Sequence, residues 1–415
     1  MAQSLQQKRK AIVIGGSMGG LFAGNMLCRA GWKVDLYERV AGPLSDRGAG
    51  IVTHDELLSA LELAGARVDE HLGVRIFERA TIDRHGNIVA SLPYDQILTA
   101  WSRLLHVLEE AFPSDHYHRG KVLKYVQQDN NSVTAHFDDG SRDTADILIG
   151  ADGIRSTTRA QLMPDQQPEY AGYVAWRGLV NEDELSSAAR DQLMDSFAFC
   201  LPPGEQMLTY PVAGKENATA KGSRRLNFVW YRPAAFDTEL KRLQTDSTGH
   251  WHSDGIPPGA IREDVLDEVR SSATATLAPV FAEVVHKTPQ LFFQPIFDLE
   301  AQKMVCGRVA LLGDAAFVAR PHSGMGVTKA ACDAIELVRA LDACPQLDEA
   351  LNAYQTSRIK FGRAIVRQAR NMGACIHIGS GSEHQRQMEL RYRDPETLMR
   401  ETAVSLQYLN LDSTA

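Results

Sequence analysis

The sequence predicts an α/β fold: a parallel sheet flanked by helices, an antiparallel sheet attached to it, and helices at the C-terminal end. Three observations predict it. Three short apolar runs, near residues 12, 148 and 310, each stop at a glycine or a glycine–acid pair. A central stretch between about 168 and 235 alternates in character and is rich in aromatic residues. From Leu347 onward the apolar residues return at helical spacing, with Leu351, Tyr354 and Ile359 ahead of a basic run to Arg370.

The first apolar run, Ala11-Ile12-Val13-Ile14, is followed by Gly15, Gly16, Ser17, Met18, Gly19 and Gly20 and then by the helical run from Leu21 to Leu27. A second strand, Val34-Asp35-Leu36-Tyr37, delivers Glu38 and Arg39. Strand, glycine turn, helix, strand and acid form the Rossmann-like dinucleotide-binding unit. Its helix N-terminus receives a pyrophosphate, and its acid accepts from a ribose. Ser17 stands where that pattern has its second glycine. Its Cβ narrows the approach of the phosphate, and its hydroxyl can donate to it.

The second run is Asp146-Ile147-Leu148-Ile149-Gly150-Ala151-Asp152-Gly153, continuing to Arg159. The third is Arg308 to Leu312, then Gly313-Asp314-Ala315-Ala316, Pro321, Gly324-Met325-Gly326-Val327 and a helix bearing Asp333. Unbroken apolar runs of this kind suit strands buried on both faces of a parallel sheet. Ligands of such sheets lie beyond the carboxyl ends of the strands, where these turns fall. Asp314 is placed to accept from polyol hydroxyls, and the Gly324–Gly326 helix start offers N–H groups to an anion. A single Asp-Gly pair is usually a simple turn. Three such sites across the chain are best explained by one long dinucleotide.

Between these runs, residues 133–140 alternate and end at Asp139-Gly140, a hairpin that leads into the strand at Ile147. The aromatic stretch, with Tyr173, Trp176, Phe228, Trp230 and Tyr231, reads as an antiparallel sheet that roofs the nucleotide site. Residues 214–224 and 245–258 read as surface loops. The organisation predicted is a discontinuous nucleotide-binding domain over 1–75, 101–165 and 296–345, a substrate domain over 76–100 and 166–295, and a C-terminal helical region over 346–415. The last thirty or so residues mix acidic and basic side chains on an amphipathic pattern, expected to close the molecule or to form a homodimer contact.

Composition excludes several classes. The chain has 415 residues and a formal charge of −8, which argues against a general nucleic-acid or anionic-membrane binder. No apolar run reaches the roughly 18 residues of a membrane helix, and no secretory signal is read at the N-terminus. Six cysteines stand singly and 13 histidines form no HxxxH or HExxH pattern, so a cytoplasmic setting with reduced thiols and no metal is expected. No second glycine fingerprint is present for a dedicated nicotinamide nucleotide domain.

Taken together, these motifs resemble the class A flavoprotein aromatic hydroxylases, the family of para-hydroxybenzoate and salicylate hydroxylases. The glycine turn Gly15–Gly20, Asp152-Gly153, and Gly313-Asp314 with Pro321 and Gly324-x-Gly326 match that family's three fingerprints in order. Arg47 in Arg47-Gly48-Ala49-Gly50-Ile51 and Arg103 in Trp101-Ser102-Arg103-Leu104-Leu105 match arginines that the family places near the flavin and its phosphates. The resemblance also puts Gly50, Ile51 and Leu123 at the cofactor. The stretches Tyr170 to Gly178, Tyr210-Pro211, Arg225 to Phe228 and Arg320-Pro321-His322 are similar to members acting on dihydroxypyridines. Phe317 departs from a frequent histidine, and Met325 from a frequent glutamine.

The resemblance implies FAD as cofactor, NADH or NADPH as transient donor, O₂ as co-substrate and a small hydroxylated aromatic or N-heteroaromatic ring as substrate. The oxygen transfer it implies runs through a flavin C4a-hydroperoxide, with the protein positioning the ring, excluding water and deprotonating a ring hydroxyl. His322, Tyr210 and His54 are the candidate acid–base residues, each with an ordinary structural role as the competing account. A reductase or halogenase on the same fold, and a non-catalytic FAD-binding regulatory protein, are the alternatives. A tryptophan-type halogenase should carry a WxWxIP segment, which Val174-Ala175-Trp176-Arg177 does not match.

Overall fold

The computed structural model describes residues 9–44, 50–69, 71–376 and 382–404. Its first layer is a six-stranded sheet in the order Val305–Cys306, Val309–Leu311, Ile147–Gly150, Lys10–Ile14, Lys33–Glu38 and Tyr117–Arg119. All pairings in it are parallel except the antiparallel pair at the Val305–Cys306 edge. Ile12 lies beside Leu148 on one side and Asp35 on the other, and Leu148 lies beside Val309. The three fingerprint strands are therefore neighbours, their turns gathered at one end. The chain leaves Lys10–Ile14 toward Lys33–Glu38 and returns on the other side as Ile147–Gly150. The crevice between Gly15 and Ala151 is thus a topological switch point.

The second layer is a nine-stranded, mostly antiparallel sheet. Its order is Phe317–Val318, Phe292–Glu300, Glu169–Asn181, Arg225–Pro233, Gln206–Val212, Ser196–Cys200, Val74–Ile82, Ile88–Ala100 and Gly50–Val52. One face packs on the helices Glu263–Thr276 and Pro279–Lys287 through Trp176, Phe228 and Trp230. The other carries Tyr173, Phe197, Tyr210 and Tyr231 toward the nucleotide-binding layer. Residues two apart share a face of a strand, so one aromatic-rich sequence serves both surfaces. The predicted hairpin is present as Val133–Phe137 paired with Arg142–Ala145, with Gly140 at φ +82 in its turn.

Two segments pack across the predicted domain boundaries. Gly50–Val52 pairs with Ile88–Ala100, so this segment belongs to the roof sheet rather than to the nucleotide-binding layer. The helical region after 346 packs on elements of both other predicted domains. The helix Leu347–Met372 buries Leu351, Tyr354, Phe361 and Ile365 beside Gly326–Ala343, and Leu398, Met399 and Ala403 are buried in the roof cluster. Amphipathicity marks an apolar face, but it cannot say whether a neighbour in the same chain or in another covers it. Among the described residues, no helix is long and apolar enough to cross a membrane, and no group of three or more metal-ligating side chains occurs.

Candidate active site

Two adjoining cavities open where the layers meet, one of about 230 Å³ and one of about 320 Å³. Ser17, Trp101, Ala151 and Gly153 line both. The smaller holds Gly15, Glu38, Arg39, Leu123 and Asp152, and the larger holds Met18, Gly19, Gly50, Ile51, Gly313, Asp314, Pro321, Gly324, Gly326 and Val327. Most of the predicted cofactor residues thus meet along one elongated channel.

The glycine turn explains its own composition. Gly15 has φ +110, a conformation that L side chains rarely adopt, and a Cβ there would lie 2.3 Å from the Ala151 carbonyl oxygen. A Cβ on Gly20 would lie 1.8 Å from the Gly15 oxygen, so this glycine lets the helix pack onto its strand. The helix Met18–Arg29 has no acid in its first turn, and Ser17 makes no side-chain cap bond. The free N–H groups and the Ser17 hydroxyl can therefore face an anion. Glu38, buried, accepts from the N–H groups of Gly16 and Val40, both at 2.8 Å.

The two acid turns are built differently. Asp152 accepts from the Ser156 hydroxyl at 2.5 Å and from the Thr158 N–H and hydroxyl at 3.1 Å, so its carboxylate organises the start of helix Thr157–Leu162. Arg159 ties the turns together by donating to the carbonyls of Ile154 and Ala315. Asp333 accepts from the Gly313 N–H at 3.0 Å and pairs with Arg358 at 2.7 Å. Asp314 is left half-exposed in the channel, 3.6 Å from the buried Lys329 ammonium. Gly324, at φ +65, turns the chain into the helix Gly326–Ala343.

Beyond Asp314 the larger cavity becomes a chamber roofed by Phe197, Leu208, Tyr210, Val229 and Tyr231. His322 lines it, tilted 33° against Tyr231 with centroids 3.9 Å apart, and its Nε2 lies 2.9 Å from the Tyr173 hydroxyl. The Arg320 guanidinium lies 5.4 Å from the centroid of the Tyr173 ring and pairs with Asp298 at 2.8 Å. The other ring nitrogen of His322, Nδ1, is buried without a partner. Burial, reinforced by the Arg320 charge, pushes the His322 pKa down to about 3. Tyr210 donates to the Gly50 carbonyl at 2.8 Å, and burial raises its pKa to about 12 despite the nearby Arg177. Arg177 lines the chamber with Nε buried and unpartnered.

Several predicted residues sit elsewhere. Arg103 bonds Asp69 at 3.1 Å and lines a separate cleft with His106 and Arg225, because its helix, Trp101–Ala111, turns Trp101 and not Arg103 toward the channel. Met325 packs with Phe361 and Ile365, away from the channel. Gly16 and Gly20 shape the turn without lining either cavity. His54 is buried with Nδ1 2.9 Å from the Thr328 hydroxyl, does not line the chamber, and has its pKa lowered to about 4 by burial. Arg47 lies outside the described residues. For His322, one of the candidate acid–base residues, burial favours the neutral imidazole. Phe317 faces Gly362 of the C-terminal helix rather than the chamber.

Sequence reasoning did not reach Thr402 and Ala403, and it named Tyr173 and Arg177 only as parts of the roof stretch, not as chamber groups. Arg177 carried a usable signal, a lone arginine inside an aromatic strand. The other three are brought in by contacts far apart in the chain.

The channel's composition fits a flavin dinucleotide: a glycine turn with no room for a Cβ, a buried acid at a strand end, and a half-exposed acid ahead of an apolar chamber with orphaned polar atoms. Comparison with known proteins agrees. The family model described as FAD binding domain-like matches residues 170–298. The 2,6-dihydroxypyridine 3-monooxygenase of Paenarthrobacter nicotinovorans is 33% identical over 89% of this chain and 92% of that protein. The solved structure of 2,6-dihydroxypyridine-3-hydroxylase from Arthrobacter nicotinovorans superposes with a TM-score of 0.83 at 32% identity, over 91% of this chain and 95% of that one. HpxO of Klebsiella pneumoniae, solved with FAD and uric acid, gives a TM-score of 0.75 at 25% identity, over 96% and 94%.

Proposed function

This chain belongs to the FAD-dependent monooxygenases of aromatic and heteroaromatic rings, and from that premise we propose that it hydroxylates a small hydroxylated N-heteroaromatic ring of the hydroxypyridine kind. FAD is its cofactor, and NAD(P)H is the usual donor of its class. The observation that carries the substrate reading is the chamber itself. It is small, roofed by aromatic and aliphatic side chains, and furnished with a neutral His322 and an unpartnered Arg177.

FAD, when bound along Ser17, Glu38 and Asp314, supplies the redox and oxygen chemistry. The protein's own share is to hold the ring and its charge. A hydroxypyridine becomes electron-rich at carbon when its hydroxyl is ionised, and a low-dielectric chamber disfavours that anion unless charge or hydrogen bonds meet it. Arg177 supplies a positive charge, and the unpartnered Nδ1 of His322 supplies a donor when Nε2 accepts from Tyr173. With a pKa near 3, His322 acts as this donor rather than as the proton acceptor. The apolar roof keeps water from the reacting centre.

The six scattered thiols, none of them disulfide-bonded among the described residues, support a cytoplasmic setting. We keep the homodimer as a reading that sedimentation would test. The reaction itself is tested by screening NADH and NADPH oxidation against hydroxylated pyridines and benzoates, with O₂ uptake and product mass followed together. A hydroxypyridine should stimulate oxidation and gain one oxygen atom. Ring-independent oxidation with no oxygenated product would overturn the proposal.

A further inference from the structure

The C-terminal segment is anchored far more firmly than a surface tail requires. After the short helix Pro395–Glu401, Thr402 and Ala403 are buried and line the chamber. The anchor is Arg79, fully buried in the middle of Val74–Ile82. Its Nη1 donates to the carbonyls of Met399 and Thr402, and its Nη2 donates to Gln96 Oε1 at 2.6 Å and to the Ala403 carbonyl at 3.2 Å. Gln96 in turn donates to the same Ala403 carbonyl at 3.0 Å and to that of Thr53 at 3.2 Å. The guanidinium lies 3.8 Å over the Tyr94 ring.

None of these partners is a carboxylate, and burial brings the Arg79 pKa down to about 10. A buried cation is tolerated only where dipoles or charges satisfy it. Here the dipoles are those of the segment itself, so the charge and the segment hold each other in place. Ala403 sits at φ +49, a strained value for a residue with a side chain, and packs against Gly324, where a Cβ would lie 2.6 Å from its own. Thr402 Oγ1 is buried without a partner. Buried hydroxyls are nearly always hydrogen-bonded, so an orphan on a cavity wall points to a group that arrives with the ligand.

We propose that Thr402 and Ala403 form a wall of the substrate chamber, that the Thr402 hydroxyl hydrogen-bonds a polar substituent of the bound ring, and that Arg79 is the positioning residue for both. Ala403 belongs to the same buried cluster as Phe197, Tyr210 and Tyr231 of the roof, on the chamber side of Gly324, and on that ground the segment is read with the ring substrate. This inference rests on the reading of the chamber as the ring site.

The test uses the FAD-loaded protein and the hydroxypyridine that the wild type oxidises. Thr402→Val, Thr402→Ser and Arg79→Lys are compared for flavin content, melting temperature, substrate Kd from flavin absorbance, and product formed per NADH. Thr402→Val should raise Kd about tenfold, the ordinary worth of one neutral hydrogen bond, with flavin content and melting temperature unchanged. Thr402→Ser should restore it. Arg79→Lys keeps the charge but loses the forked donor, so it should raise Kd and divert turnover to hydrogen peroxide. Wild-type Kd and coupling in Thr402→Val would overturn the proposal, and so would lost flavin at unchanged Kd. A wild type that oxygenates no ring would instead remove the underlying reading of the chamber, and this inference with it.

Discussion

Mild acid should destabilise this protein through two histidines that the fold keeps neutral. His322 is almost fully buried, and burial with the Arg320 charge lowers its pKa to about 3. His54 is lowered to about 4, mainly by burial; Glu56 partly opposes the shift and Arg79 adds to it. In the unfolded chain both titrate near about 6.5. Between those limits the unfolded state binds more protons, so stability rises with pH. The stabilisation is complete above the unfolded pKa and is lost as pH falls toward the folded values. At pH 5 each histidine therefore removes about 2 kcal/mol relative to pH 7.5, about 4 kcal/mol for the pair. That is a large share of the 5–15 kcal/mol typical of a whole domain. Asp35, held at about 2 by its His116, His118 and Lys10 hydrogen bonds against the opposing effect of burial, does not titrate in this window. The assay is urea unfolding at pH 7.5 and 5.0 with fixed FAD, on the wild type, His54→Gln, His322→Asn and the double variant. Each substitution should remove about 2 kcal/mol of the pH-dependent loss, whatever it does to stability at pH 7.5. A double variant that loses as much as the wild type on acidification would refute the reasoning.

Four further outcomes are expected. Glu38→Ala and Asp314→Ala should each weaken FAD binding about tenfold or more, the worth of a charge-assisted hydrogen bond, measured as flavin retained after dialysis. Glu38→Ala should also lower the melting temperature, because it orphans the Gly16 and Val40 N–H groups. His322→Ala should keep FAD and its reduction by NADH yet release hydrogen peroxide in place of product; tight coupling at the wild-type rate would make the residue structural. Gly20→Ala should lose flavin, since its Cβ would fall 1.8 Å from the Gly15 oxygen and displace the turn. Arg177→Met should raise substrate Kd about tenfold or more through the lost charged contact with FAD content unchanged, checked by flavin absorbance titration.

The nucleotide half of the site was legible because its chemistry is local. A glycine at positive φ, a helix N-terminus and a strand-end acid are each set by a few consecutive residues, so Gly15–Gly20, Glu38 and Gly313-Asp314 could be read in one dimension. That three runs in one chain become adjacent strands also follows from their shared pattern, because a fully apolar strand must be covered on both faces. The family resemblance added the cofactor and the reaction class.

The residues misjudged from sequence were those whose orientation or environment depends on neighbours. Arg103 sits beside Trp101 in the chain, yet helical geometry sends the two side chains to different cavities. His322 lines the chamber, but the burial and the Arg320 charge that lower its pKa are invisible until the fold gathers them. His54 was moved behind the chamber by its bond to Thr328, far along the chain. The sequence by itself determined the fold class and the dinucleotide cradle, since both rest on short-range spacing and backbone conformation. Tertiary structure alone decided which polar atoms remain unpaired around the chamber, and that Thr402 and Ala403 help to line it, because burial and desolvation are properties of the assembled fold.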